Sequence, residues 1–303
     1  IKKQNFEIVP FAGISNSKTF VCNENGYYSI FESDRYGFNN PDEEWSKNKI
    51  EYVLVGDSFT QGSCLNRPYD IASQLRIFSN KSVLNLGYGS TGPLIQHAIL
   101  REYIKKDVKN IIWLYFEGND GSDLSYELNS TLLKSYLKDE NFKQDLLNKQ
   151  NRIDQISRNV IKFLYERNLD KANYFDKKNF IKLTKLRALI DTYFFSSNQN
   201  FFFEKEEFVK IVKLTNNLVK KNNSKLYFVY LPDYKTLEYE TKHPNYEIIK
   251  KIILDNNIKF IDINDAFKKN SNPLIYFPFK LSGHYNKRGY AKIAKEILNQ
   301  VEK

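Results

Sequence analysis

Glu51-Tyr-Val-Leu-Val-Gly-Asp-Ser-Phe-Thr-Gln-Gly62 is the stretch on which the reading of the fold turns. Its apolar run, Tyr52 to Val55, stops abruptly at Gly56-Asp57-Ser58 and gives way to small and polar residues. A short apolar run bounded in this way reads as a buried strand. In α/β proteins such strands deliver side chains to the carboxyl edge of a sheet, where ligands bind. Ser58 is therefore a candidate nucleophile held on a rigid strand end. The plainer reading gives Asp57 and Ser58 a turn or a helix cap, because both residue types are common there.

Three later segments add to this one. Val83-Leu-Asn-Leu-Gly-Tyr-Gly-Ser-Thr-Gly-Pro93 is another apolar run that breaks into a glycine-rich turn before a helical pattern. Ile111-Ile-Trp-Leu-Tyr-Phe-Glu-Gly-Asn-Asp120 is a third buried-strand run, ending in Gly118-Asn119-Asp120. Near the C-terminus stands Leu281-Ser-Gly-His-Tyr-Asn286. In chain order these segments supply a nucleophile, backbone N–H donors, a side-chain amide donor and a base, the parts that acyl transfer requires.

Gly56-Asp57-Ser58, the Gly87–Gly92 turn, Gly118-Asn119-Asp120 and Gly283-His284 resemble the four signature blocks of the SGNH (GDSL-type) hydrolases, in the family's order. The first and third blocks match closely, the second and last more loosely, and together they span residues 51 to about 300. The resemblance implies a flavodoxin-like three-layer α/β/α sandwich with a parallel sheet. It implies ester chemistry by Ser58 and His284, without a cofactor. The oxyanion hole it implies uses the Ser58 N–H, an N–H of the glycine-rich turn (Gly89 or Ser90) and the Asn119 amide. Analogy to exported relatives suggests an extracytoplasmic location and acetyl esters of cell-surface carbohydrate. Hydrolase and O-acyltransferase would share all of these residues.

One position departs from the family pattern. An Asp normally stands two or three residues before the histidine, and this chain has Ser282 and Leu281 there. A base histidine needs its second ring nitrogen held by an acceptor, which fixes the tautomer. A backbone carbonyl or the Ser282 hydroxyl can do that, with less stabilisation of the imidazolium. Asp262 and Asp265, on the preceding strand end, could supply a displaced acid, although capping or solvation is the expected role for both. The missing acid keeps a second class of function open, a non-catalytic carbohydrate-binding domain on the same fold. A third reading, Gly87–Gly92 as a phosphate cradle, lacks both the Gly-Lys-Ser/Thr ending and the Gly-x-Gly-x-x-Gly spacing.

Composition narrows the field. With 23 Phe and 21 Tyr in 303 residues, the chain can fill a large core. The net charge of +10 comes mostly from lysines scattered over helical stretches, not from a basic face interleaved with aromatics, so nucleic acid is not an expected partner. Scattered lysines read as solvated surface, with attraction to anionic surfaces as the lesser reading. The three histidines are far apart and no Cys or His spacing suits zinc, so no metal is expected. Cys22 and Cys64 could pair in an oxidising compartment or remain buried thiols, and Cys64 has no histidine near it in sequence. No run approaches the roughly 18 apolar residues of a membrane span. The chain has no methionine, initiator included, which leaves open a trimmed segment that has lost an N-terminal signal or anchor.

Residues 1–50 read as a polar N-terminal extension packed on the sheet edge, with turns at 23–26 and 39–42. Ser33–Asn40 resembles the segment before the first block in some exported family members and is either a lip over the sheet edge or a plain surface loop. Residues 51–303 read as the α/β/α domain, with strands at 52–55, 82–86, 110–116, 225–231 and 258–263. Helices are expected at 69–78, 93–105, 245–255 and after Asn286, a good N-cap. A helical insertion, about 124–222, shows helical spacing over 129–147, 153–167 and 208–221. Its clusters Tyr193-Phe-Phe195 and Phe201-Phe-Phe203 would pack it on the sheet or line a pocket. His97 reads as a surface or satisfied core residue, His243 as loop decoration.

Overall fold

The computed structural model describes residues 8–173 and 203–302, with the side chains of 167–173 left out. Tyr193–Phe195 and Phe201–Phe202 lie outside the described residues. Strands β1 (Lys18–Phe20) and β2 (Ile30–Glu32) form a small antiparallel hairpin. The main sheet has five parallel strands, β3 (Ile50–Val55), β4 (Val83–Asn85), β5 (Val108–Phe116), β6 (Lys225–Leu231) and β7 (Lys259–Asp262). Their spatial order is β4-β3-β5-β6-β7. The third strand therefore pairs with the first, not the second, which is the flavodoxin-like order with its switch point between β3 and β5.

The period of two along each strand builds two cores. Tyr52, Leu54, Ile112, Leu114 and Val229 face the helices Ile71–Ser79, Ile263–Lys268 and Lys287–Val301. Val53, Val55, Ile111, Trp113 and Phe228 face the helices Pro93–Tyr103, Lys205–Lys221 and Tyr246–Asp255. Helices thus cover both faces, as a parallel sheet of nearly continuous apolar strands requires. The result is a three-layer α/β/α sandwich.

The segment Ser33–Asn40 is tied to the sheet rather than left in solvent. The buried Asp34 carboxylate accepts from the Tyr36 and Phe38 N–H groups, the Asn40 amide and the Trp45 indole. The Asn40 side chain donates to the Asn85 carbonyl and accepts from the Asn85 N–H, both at 2.8 Å, while Glu44 accepts from Val83 N–H. Side chains so take the place of a neighbouring strand along the β4 edge, where unpaired backbone groups would otherwise be exposed.

One expected helix is shorter than its periodicity. Helical spacing over 129–147 yields only the helix Thr131–Lys138 and a short 3-10 turn, Leu146–Asn148. Asp139 turns the chain by accepting from Asn141 N–H, and Arg101 binds the Asp139 carbonyl. The buried Glu102 carboxylate accepts from the N–H groups of Gln144 and Leu146. These long-range partners satisfy backbone groups that a continuous helix would have paired locally.

Candidate active site

Ser58 opens the short helix Ser58–Gln61 directly beyond β3, on one side of the switch point. Its predecessor Asp57 caps that helix, accepting from Phe59 N–H at 2.9 Å. Asp57 is fully buried beside Asp120, a capping acid beyond β5 that accepts from Phe116 N–H and the Gln96 amide. Burial raises both carboxyls above the ordinary Asp range, and the charge of Asp57 raises Asp120 further. Asp120 fixes the end of β5 and Asp57 the start of the Ser58 helix, with Asp57 Oδ2 3.5 Å from Ser58 Oγ.

His284 sits two residues ahead of Asn286, whose side chain caps the final helix by accepting from Arg288 and Gly289 N–H. The imidazole packs on the Phe59 ring, with centroids 4.6 Å apart. Its Nε2 lies 2.8 Å from Ser58 Oγ. The opposite ring nitrogen, Nδ1, lies 3.0 Å from Glu24 Oε1, and His284 N–H donates to Glu24 Oε2 at 2.6 Å. An ionised carboxylate can only accept, so Nδ1 carries the proton and Nε2 is left free to accept from Ser58. A Cβ at Gly283 would come within 2.6 Å of Glu24 Oε2, so a side chain there would displace the acid. The His284 and Glu24 side chains are 22% and 34% exposed, which leaves the pair reachable by a ligand.

The acid is therefore neither Asp262 nor Asp265, and Ser282 does not hold the ring. Asp262 accepts from the Tyr246 hydroxyl and caps the helix Ile263–Lys268, while Asp265 is exposed. The capping role expected for Asp262 is the one it has. Glu24 comes instead from the turn Asn23–Gly26, and a disulfide explains its placement. Cys22 and Cys64 are bonded, with Cα atoms 5.0 Å apart. Cys64 follows the Ser58 helix, so the bridge brings the Glu24 turn to the base. The Cys64 Sγ lies 3.3 Å from His284 Nδ1, so the histidine missing from its sequence neighbourhood is supplied by the fold. The bonded sulfur is no thiolate nucleophile.

Within the glycine-rich turn, Gly89 lies beside Ser58. A Cβ built on it would lie 3.7 Å from Ser58 Cβ. Its N–H donates to Gln61 Oε1 at 3.2 Å, so a bound oxyanion would have to displace that amide oxygen. Ser90, next to it, adopts the left-handed region with φ 61°. The Ser58 N–H is one of those a helix start leaves without an intrahelical acceptor. Asn119 ends the β5 side of the switch point, and its Nδ2 donates to Asp123 Oδ2 at 2.9 Å. It also lies near enough to Asp57 to favour that carboxylate's ionised form.

The other two histidines lie elsewhere. His97 is buried between Thr215 Oγ1 at 2.9 Å and the Arg101 guanidinium at 2.7 Å, a satisfied core residue. His243 accepts from Asn245 N–H in its loop. Among the described residues, the only cluster with metal-ligand character is Cys22, Glu24 and Cys64, and its two sulfurs are joined to each other.

Sheet order, a strand-end serine and a histidine–carboxylate pair define an α/β/α protein with the parts of a serine triad. No family model matches the chain, and no curated protein matches it. Solved structures are similar in fold at low identity. A lipase/acylhydrolase from Enterococcus faecalis is 10% identical, with TM-score 0.45 over 84% of this chain and 95% of the other. An acetyl xylan esterase, AlAXEase, is 13% identical, with TM-score 0.45 over 83% of this chain and 100% of the other. A variant of an acetyl-xylooligosaccharide esterase from Geobacillus stearmophilus is 12% identical, with TM-score 0.45 over 83% of this chain and 94% of the other.

Glu24 is the residue that reading the sequence missed. The signal was present in Cys22. Once the two cysteines are taken as paired, anything two residues beyond Cys22 must fall near the end of the Ser58 helix.

Proposed function

We propose that this chain is a serine-dependent ester hydrolase of the SGNH type. The observation that carries the proposal is the run of contacts from Ser58 Oγ to His284 Nε2 at 2.8 Å and from Nδ1 to Glu24 at 3.0 Å. Ser58 attacks the ester carbonyl while His284 Nε2 takes its proton, and the same proton passes to the leaving alcohol oxygen. Water then attacks the acyl-enzyme and gives its proton to Nε2, which passes it to Ser58 Oγ as the Oγ–acyl bond breaks and the acid leaves. Glu24 holds the imidazole in the accepting tautomer and stabilises the imidazolium formed in each step. The oxyanion is assigned to the Ser58 and Gly89 or Ser90 N–H groups and to the Asn119 amide, once Gln61 and Asp123 yield their share of those donors.

The reading as a non-catalytic binding domain leaned on a base without an acid, and Glu24 supplies one. A transfer reaction would use the same acyl-enzyme with an alcohol replacing water, so adding an acceptor alcohol separates the two outcomes.

The test is hydrolysis of p-nitrophenyl acetate by the wild type and by Ser58→Ala, together with labelling by a fluorophosphonate. Wild-type turnover, loss of it in the variant and a label on Ser58 are expected. Equal rates in both proteins, or a label on another residue, would overturn the proposal.

A further inference from the structure

Four metal-ligating groups converge behind the His284 ring. The Cys22 and Cys64 sulfurs and a Glu24 carboxylate oxygen all lie within 4.8 Å of one another. His284 Nδ1 lies 3.3 Å from Cys64 Sγ and 3.0 Å from Glu24 Oε1. In a tetrahedral zinc site with bonds of about 2.0–2.3 Å, neighbouring donor atoms stand about 3.3–3.8 Å apart. Two thiolates, an imidazole nitrogen and a carboxylate oxygen are donors that zinc takes. Joined to each other, the two sulfurs offer no thiolates, so breaking their bond is the one chemical change required. Cys22 is only partly buried, which gives a reductant access. Three hydrogen bonds besides the bridge span the two cysteine segments. Asn25 Nδ2 donates to the Cys64 carbonyl at 3.0 Å, Ile30 N–H to Asn66 Oδ1 at 2.7 Å, and Arg67 Nη2 to the Glu32 carbonyl at 3.0 Å. They keep the cysteines within reach of one ion after reduction, although the clamp on the Glu24 turn is gone.

We infer that reduction of the Cys22–Cys64 bridge turns this cluster into a site for one zinc ion, with Cys22, Cys64, Glu24 and His284 as ligands. The reductant supplies two electrons, two protons complete the thiols, and the ion displaces both protons as it binds. A metal on Nδ1 takes the place of the proton there, so the neutral ring carries its one proton on Nε2. Nε2 then donates to Ser58 and can no longer accept from it, while Glu24 is drawn onto the ion. The ion thus restores the cross-link that reduction removed and at the same time disables the base. Metal binding stands apart from the esterase reading; only the loss of the base rests on it.

The experiment uses cobalt(II) as a spectroscopic probe and zinc as its competitor. The full chain is reduced with a water-soluble phosphine, which takes up water oxygen to become its oxide as the S–S bond becomes two thiols. The phosphine is then removed without air. Reduced wild type should bind one cobalt per chain, with a thiolate-to-cobalt band and the intense visible bands of a tetrahedral site. One equivalent of zinc should displace it, with a Kd of about 1 µM or tighter. Oxidised wild type, and Cys22→Ser with Cys64→Ser, should show neither. Reduced His284→Ala and Glu24→Gln should each bind zinc about tenfold or more weakly. Chelation by two thiols on an unfolded chain would be indifferent to both changes. No such spectrum from the reduced wild type, the same spectrum from the oxidised protein, or unchanged affinity in His284→Ala would overturn the inference. A second arm adds one equivalent of zinc during p-nitrophenyl acetate hydrolysis. It should stop the turnover that reduced wild type retains and leave the oxidised protein unaffected. Undiminished turnover with zinc bound would overturn ligation through Nδ1. If neither form cleaves the ester, the esterase reading fails alone and the cobalt spectrum still decides the site.

Discussion

Glu24 meets His284 from 260 residues away in sequence, through two contacts that use both of its carboxylate oxygens. Burial pushes its carboxyl upward, but the hydrogen bonds and charge of His284 outweigh that and leave it below the ordinary Glu range. The acid therefore stays ionised at neutral and mildly acidic pH, where it can stabilise an imidazolium. Glu24→Gln keeps the shape and removes the charge. It should lower kcat on an activated ester by about a thousandfold or more while the urea midpoint stays close to that of the wild type. A loss of less than about tenfold would assign Glu24 a merely structural role. Asn119 permits a second test at this scale. If its amide turns from Asp123 to the oxyanion, Asn119→Ala should cost about a hundredfold or more in kcat. Unchanged turnover would leave Asn119 as a partner of Asp123 alone.

At the scale of elements, the turn carrying Gly89 and Ser90 is held by the helix that follows it. The buried Glu127 carboxylate accepts from Gly92, Leu94 and Ile95 N–H, satisfying orphan donors at the start of Pro93–Tyr103. The same helix carries His97, which ties it to Thr215 on Lys205–Lys221. Burial, with the Arg101 charge added, pushes His97 from 6.5 down to about 3, so it is neutral in the fold. The unfolded chain binds the extra proton between those two values. Stability from this group is thus complete above about pH 6.5 and is lost as pH falls toward about 3. Between pH 7 and pH 5 His97 should account for about 2 kcal/mol of acid destabilisation. Urea unfolding of the wild type and His97→Gln at both pH values measures it, and equal pH sensitivity would show that His97 does not contribute.

At the scale of the whole molecule, the Cys22–Cys64 bridge joins the N-terminal hairpin region to the sheet beside the base. Closing a loop across a sequence separation of 42 residues constrains the unfolded chain. On the loop-entropy model this contributes about 4 kcal/mol to stability. Its effect on catalysis should be distinct, because the bridge also fixes the turn that carries Glu24. Treatment with a dithiol reductant, or the change Cys22→Ser with Cys64→Ser, should lower kcat towards that of Glu24→Gln. The sheet should survive, as read by circular dichroism. Full activity in a protein shown to be reduced would mean that packing alone holds Glu24 in place.

Strand periodicity, the breaks at Gly56, Gly87 and Gly118 and the stripe of the final helix were legible along the chain, because burial on a parallel sheet writes a local apolar pattern. That pattern was enough to place Ser58 at the end of a strand and His284 just ahead of the final helix. Without the pairing of Cys22 and Cys64 the acid was not legible, because a hydrogen bond to His284 leaves no local periodicity and can be supplied from any part of the chain. Only the tertiary fold, with the disulfide closing on Cys64 and Gly283 leaving room, brings Glu24 to the imidazole.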